Sequence, residues 1–304
     1  MLKQAKLHSA TLLGFVAILL WSTTVAFTRS ISENLGPFTS GACIYLLAGI
    51  FLYMTRFAKH RSFRNQNKSS SLYIYGCGAL FIIYTLSFYF AIGKATNSSQ
   101  TLEIGLINYL WPGLTILFSI PILGRKASIW LLPGTLIAFA GVYLVLSQGT
   151  TLSLGSIIEN TRNYFIPYFS GFLAATSWAL YSNLSRRWGG ADPDGAIPLF
   201  SIITGLSFLI LVIIIPEKMS WNSRVIIEIL FFSSATALAY HSWDLSMRKG
   251  KIILVAAGSY LVPLLSTIIS SLYLRIMPTP ILWWGCLLII LGSIVSWRSL
   301  LESG

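Results

Sequence analysis

Runs of about twenty mostly apolar residues recur from one end of this chain to the other, and that recurrence limits the fold more than any single motif does. In helical form about 20 residues cross roughly 30 Å of hydrocarbon. Such runs fall near residues 10–30, 38–56, 72–93, 100–123, 130–147, 165–186, 195–215, 225–246, 252–274 and 280–298. They are too long and too evenly apolar for barrel strands, so the pattern predicts an all-α integral membrane protein with ten transmembrane helices. With 55% hydrophobic and 10% charged residues and a mean hydropathy of +0.73, the chain has more apolar surface than one water-facing core can hide. The loops "RFAKHRSFRNQNKSSS" and "SQGTTLSLGSIIENTRN" are too short and polar to hold a further domain. The first span lacks a signal-peptide cleavage pattern and is expected to stay as the first helix. Cys43, Cys77 and Cys286 lie in three separate spans, a spacing that predicts buried apolar residues and neither disulfides nor a metal site.

A net charge of +12 raises the question of nucleic acid, but its distribution answers otherwise. Under the ten-span reading one side collects Lys3, Lys6, Arg56, Lys59, Arg61, Arg64, Lys68, Arg125, Lys126, Arg186, Arg187, Arg248, Lys249, Lys251 and Arg298, fifteen of the 21 basic residues. The other side holds Arg29, Lys94, Arg162, Lys218, Arg224 and Arg275. The positive-inside rule then places both termini in the cytoplasm. Membrane lipid is the expected partner of the 56–68 loop, and no nucleic acid is expected.

The chain also repeats itself. "GFVAILLW" from Gly14 matches "GFLAATSW" from Gly171 in register, and Arg29 and Arg186 coincide at the same offset. "NYLWPGLT" from Asn108 lies over "SYLVPLLS" from Ser259, and Gly134 and Gly141 lie over Gly285 and Gly292 at the offset of 151 that relates Tyr109 to Tyr260. The predicted organisation is two five-helix units, residues 1–150 and 151–304. An odd number of helices per unit forces opposite orientations, which gives the inverted repeat of secondary transporters working by alternating access around a midplane site.

These motifs, with "LEIGLINYLWPGLTILFSI" in the fourth span and "AGSYLVPLLS" in the ninth, resemble the drug/metabolite transporter superfamily. Within it the chain is similar to the YddG-type aromatic amino acid exporters of bacterial inner membranes, across nearly its whole length. The resemblance implies an EamA-like fold and export of aromatic and other bulky neutral amino acids. Lipophilic cations such as methyl viologen are the alternative cargo.

Within the spans, Pro112 removes a backbone donor opposite the Asn108 carbonyl and predicts a mid-helix kink, with Pro263 doing the same in the ninth span. Both are candidate gates. Tyr109 and Trp111 flank the first kink, and Trp21, Tyr84, Phe88, Tyr89, Trp178, Tyr181, Tyr240, Trp243 and Tyr260 crowd nearby spans. Rings around a cavity suit a planar apolar solute and, through their faces, a cation. The expected cavity is lined by the first, third, fourth, sixth, eighth and ninth spans. The candidate substrate-binding residues are Trp21, Tyr84, Tyr89, Asn108, Tyr109, Trp111, Trp178, Tyr181, Tyr240, Ser259 and Tyr260, with Ser22, Thr23 and Thr24 as further polar candidates. Trp130, Trp221, Trp283, Trp284 and Trp297, near span ends, read as interfacial belts.

Intramembrane ionisable groups are functional candidates by default. Glu103 opens the fourth helix, where it serves either a binding role or the positive helix terminus. His241 and Asp244, three residues apart on one helical face, are a candidate proton pair against a structural hydrogen-bonding role. Arg29 and Arg186 are expected to snorkel as orientation anchors. An enzyme is the competing class, but neither HExxH nor GxSxG occurs, and a Ser259–His241 dyad lacks an orienting acid and an oxyanion hole. No cofactor is expected, and the carrier is expected to be a monomer or weak homo-oligomer.

Overall fold

The computed structural model describes residues 2–60, 70–147, 152–190, 195–274 and 280–301. Each of the ten predicted spans falls on helix. In chain order these are α1 (Leu2–Leu35), α2 (Pro37–His60), a π-helical start Leu72–Cys77 running into α3 (Gly78–Gly93), and the pair α4 (Ser98–Asn108) and α5 (Trp111–Leu123). Then come α6 (Leu131–Ser147), α7 (Leu154–Asn163), α8 (Phe165–Trp188), α9 (Ile197–Ile214), α10 (Ser223–Lys249), the pair α11 (Ile252–Gly258) and α12 (Leu261–Leu274), and α13 (Pro280–Arg298). A two-residue antiparallel ladder joins β1 (Lys126–Ala127) to β2 (Leu300–Leu301).

Among the described residues, six helices are long and apolar enough to cross a bilayer, and the bent pair α11–α12 makes a seventh. The apolar stretch of α1, Leu7–Ser22, and α6 are shorter. The 24-residue α8 is diluted by Ser177, Ser182, Asn183 and Ser185, all of which are buried. Turned inward, such small polar groups help helices pack without facing lipid. The outward surface is the reverse: Ile213 is 80% exposed and Trp283 and Trp284 about as open as Leu132, a distribution suited only to an apolar solvent. The five tryptophans read as interfacial, Trp130, Trp221, Trp283, Trp284 and Trp297, are all exposed.

Two local features differ from the sequence reading. The segment 154–163, read as loop, is the helix α7, started by a capping box in which Ser153 and Ser156 satisfy each other's backbone N–H groups. Pro112 and Pro263 are not mid-helix. The fourth span is interrupted at Tyr109–Leu110 and the ninth at Ser259–Tyr260, so each proline falls in the first turn of the following helix, where its missing N–H has little to lose. The two halves of the fourth span continue as one crossing, whereas those of the ninth bend by 41°.

The helices pack as α6 on α13, α2 on α9, α1 on α10 and α3 on α8, with α5 against α8 and α11, and α1 also against α12. Glycines set the closest seam. A Cβ on Gly141 would lie 2.7 Å from the Gly285 carbonyl oxygen, and one on Gly292 2.6 Å from that of Gly134. The paired glycines of the fifth and tenth spans are therefore used within one chain. Arg186 does not snorkel: its guanidinium donates to the carbonyls of Met247, Arg248 and Gly250 at 3.3, 2.9 and 2.9 Å, closing the C-terminus of α10. The side chains of Lys3, Lys6, Thr23, Thr24, Arg29 and Lys59, and residues Arg61, Arg64, Lys68 and Arg275, lie outside the described residues.

Candidate functional site

Four tryptophans from four different spans meet at the centre of the bundle. Trp21 lies on α1, Trp111 on the first turn of α5 after the break, Trp178 on α8 and Trp243 on α10. All six pairs are in ring contact. Centroids lie 5.0 Å apart for Trp21–Trp243, 5.3 Å for Trp111–Trp243, 5.7 Å for Trp21–Trp178, 6.0 Å for Trp178–Trp243, 6.3 Å for Trp21–Trp111 and 6.4 Å for Trp111–Trp178. Most are edge-to-face, the arrangement that sets a ring's positive edge against a negative face, and each contributes about 0.5–1.5 kcal/mol beyond burial. The Trp243 indole N–H donates to Ser182 Oγ at 3.2 Å, which fixes its plane.

Tyrosines form the next layer. Helical spacing of three brings Tyr181 under Trp178, stacked at 5.0 Å, and Tyr240 beside Trp243. Tyr84 approaches Trp178 at 4.6 Å. The Tyr240 hydroxyl shares a 2.7 Å hydrogen bond with Tyr45 and is approached by that of Tyr84. Tyr89 stands one ring further out, against Tyr45 at 6.3 Å and Phe208 at 4.9 Å.

Of the candidate residues, the structure thus brings Trp21, Tyr84, Trp111, Trp178, Tyr181 and Tyr240 into one cluster, with Tyr89 at its edge. Tyr260 does not join it. The ninth-span break directs it into a second core with Leu106, Val142 and Leu264, where its hydroxyl would lie 2.6 Å from a Cβ on Gly113. Tyr109 packs against both cores. The ninth span gives the main cluster aliphatic Val255 and Val262 instead. Ser259 Oγ donates to the Ala256 carbonyl at 2.5 Å and Ser22 Oγ to that of Ile18 at 2.8 Å, so both hydroxyls serve their own helices. Asn108 is buried beside the fourth-span break, and its Oδ1 accepts no hydrogen bond among the described residues.

Trp243, Tyr45 and Phe81 are full members that the candidate set left out. Trp243 was legible from its spacing of three from Tyr240. Phe81, 4.9 Å from Tyr240, was likewise legible from its spacing of three from Tyr84, whereas Tyr45 carried no such signal, because the second span looked peripheral.

The acids are engaged elsewhere. Glu103 is fully buried and accepts from Ser156 Oγ at 2.7 Å, Asn160 Nδ2 at 3.0 Å, Ser99 Oγ at 3.4 Å and the Tyr168 hydroxyl. It therefore docks α7 onto the starts of α4 and α8. Asp244 is held by Tyr73, Tyr181 and Arg248, and His241 is half-buried one turn away. No group of three His, Cys, Asp or Glu among the described residues is arranged to hold a metal ion.

The EamA-like transporter family matches residues 8–147 and 165–298. The chain is 32% identical over 291 residues to the aromatic amino acid exporter YddG of Escherichia coli (strain K12), covering 95% of this chain and 97% of that one. It is 33% identical to the protein of the same name from Salmonella typhimurium (strain 14028s / SGSC 2262), with the same coverage. One crystal structure superposes with a TM-score of 0.81 at 26% identity, covering 95% of this chain and 97% of the other. Matched by the family over most of its length, this multi-pass chain belongs to the EamA-like transporter family.

Proposed function

We propose that this protein is a carrier of the bacterial inner membrane that exports aromatic and other bulky hydrophobic amino acids from the cytoplasm by alternating access. The observation that carries the reading is the four-tryptophan centre, where rings from the first, fourth, sixth and eighth spans offer edges and faces to a flat apolar side chain. The relatives named as aromatic amino acid exporters support the same cargo.

We further propose ten crossings in two inverted repeats, residues 1–150 and 151–304, with both termini cytoplasmic. Reciprocal contacts support the repeat. A Cβ on Gly14 would meet Val255, and one on Gly171 would meet Ile104, the residue 151 positions before Val255. Gly49 faces Ile202 while Gly205 faces Leu46, both pairs related by 156. Trp21 and Trp178, equivalent in the repeat, touch each other as residues on a two-fold axis do. With the glycine seam spent inside the chain, a monomer is sufficient for this mechanism.

The lipophilic-cation alternative calls for an embedded acid facing the cargo. Engagement of Glu103 by α7 and of Asp244 by Arg248 counts against it. The same ion pair counts against Asp244 as a proton carrier. Uptake of radiolabelled phenylalanine into proteoliposomes tests the reading. Parent uptake above protein-free vesicles, lost in a folded Trp111→Ala variant, is expected. No parent uptake under proton gradients of either sign would overturn the substrate assignment.

A further inference from the structure

Directly beneath the tryptophan centre lies a buried charged pair. Arg248 Nε stands 2.7 Å from Asp244 Oδ2, with the two side chains 1% and 0% exposed. Their spacing of four keeps both charges on α10. The carboxylate's other oxygen accepts from the Tyr73 hydroxyl at 2.9 Å, from the π-helical start of the third span, and from the Tyr181 hydroxyl of α8 at 2.8 Å. Tyr73 in turn accepts from the Ala196 N–H at 3.2 Å. Gly195, at φ +65°, comes so near that a Cβ there would lie 2.6 Å from Asp244 Oδ2. Because α10 packs along α1 and α3 along α8, this one carboxylate ties one helix pair to the other.

Among the described residues this tie between α10 and the α3–α8 pair is at one end; the buried carboxylate of the opposite end, Glu103, holds α4, α7 and α8 instead. The tie lies where α1 begins, since the Lys251 N–H donates to Thr11 Oγ1 at 3.0 Å, and that is the cytoplasmic end in the orientation proposed above. In the proposed repeat the eighth span corresponds to the third, and Leu72–Gly93 contains no charged residue. The repeat therefore supplies no matching pair at the opposite end. The tie also adjoins the aromatic centre, through Tyr181 stacked on Trp178 and through Trp243 next to Asp244 in the chain.

We propose that Asp244, Tyr73 and Tyr181 form a latch that biases the resting carrier towards the state closed on the cytoplasmic side; the proposal rests on the transport reading. Opening breaks the two tyrosine bonds and the bonds from Arg186 of α8 to the end of α10, while the Asp244–Arg248 ion pair travels with α10, so the carboxylate keeps its charged partner. Hydrogen bonds to a charged acceptor are strong enough that removing one shifts a two-state equilibrium by about tenfold or more.

The test is hydrogen–deuterium exchange of the purified full chain in lipid nanodiscs, with Tyr73→Phe and Tyr181→Phe, which keep the rings, and Tyr75→Phe as a control on an exposed tyrosine of the same turns. In the two latch variants, amides of residues 72–80 and 240–250 are expected to exchange about tenfold faster, with residues 86–93 and 223–232 unchanged and the control like the parent. Parent-like exchange in both variants would overturn the latch. So would equal acceleration at both ends, which marks general loosening. The readout needs no substrate, so a failed phenylalanine assay would overturn the cargo while these rates decide the latch.

Discussion

Replacing Gly14 with alanine adds one methyl group where α1 and α11 leave no room. The new Cβ would lie 2.5 Å from Ser246 Oγ and 2.8 Å from Val255 Cγ2, with Val255 Cγ1 closer still. Carbon atoms prefer about 3.5–4.0 Å, so either α1 retreats by roughly 1 Å or Val255 leaves its rotamer. Overpacking of this kind costs about 1–3 kcal/mol, and alanine's helix preference over glycine returns about 1 kcal/mol of it. Trp21 lies seven residues on, two turns along the same stripe, so the displacement also draws it from Trp178. Gly171 bears the same relation to Trp178, but its Cβ would stand 3.1 Å from the Ile104 Cγ2 methyl, its nearest neighbour, so Gly171→Ala is expected to cost less. Thermal unfolding in detergent and phenylalanine uptake check both points. Gly14→Ala should lower Tm and raise KM more than Gly171→Ala does, and adding Val255→Ala should recover about 1–2 kcal/mol of coupling. A strictly additive double variant, or an unmoved Gly14→Ala, would refute the close-approach argument.

At the α6–α13 seam, Gly141→Leu is expected to lower Tm by more than any alanine substitution there, because the backbone of Gly285 and Ile289 cannot yield; Gly105→Ala, which meets nothing within 4 Å, is the control and should raise Tm slightly through alanine's helix preference of about 1 kcal/mol. Glu217 accepts from the Phe38 and Thr39 N–H groups at 3.0 and 2.7 Å, so Glu217→Ala should destabilise by about 0.5–2 kcal/mol, read by Tm and by faster amide exchange confined to the start of α2. Removing two donors to Glu103 with Ser156→Ala and Asn160→Ala should free α7, seen as protease cleavage near residues 152–163 that the parent resists; at about 1–3 kcal/mol per lost bond, unchanged cleavage would show that α7 is held by other contacts.

Hydropathy placed each predicted span on helix, because lipid-facing side chains need only be apolar. It was silent where a helix's character depends on what it faces. The serines of α8 dilute its hydropathy while pointing inward, and α7 turns its polar Ser156 and Asn160 toward a buried acid, which makes a polar linker look like loop. The proline motif marked both breaks, yet it located the disruption a residue or two late, since a proline is best accommodated just after a helix restarts. Trp21 and Trp178 were readable from the duplicated motif. The partners of Asp244 were not: Tyr73 is 171 residues away, and in one sequence nothing distinguishes it from the exposed Tyr75 two positions on.

The aromatic centre and the one-sided tie answer different requirements of the proposed carrier. A solute bound equally well in both states shifts no equilibrium, and a site built around repeat-equivalent Trp21 and Trp178 presents nearly the same rings whichever end is open. Such a site can pass its cargo without trapping it, but it cannot choose a resting state. That choice has to come from residues that break the two-fold relation. Asp244 and Arg248 do so, as charged residues on α10 whose counterpart span carries no charge. They sit where one bonded carboxylate reaches both helix pairs and, through Tyr181, the ring that floors the site. In the proposed latch Tyr181 both bonds the carboxylate and stacks on Trp178, so the cytoplasmic bias and the aromatic site meet at one residue without the cargo having to favour either state.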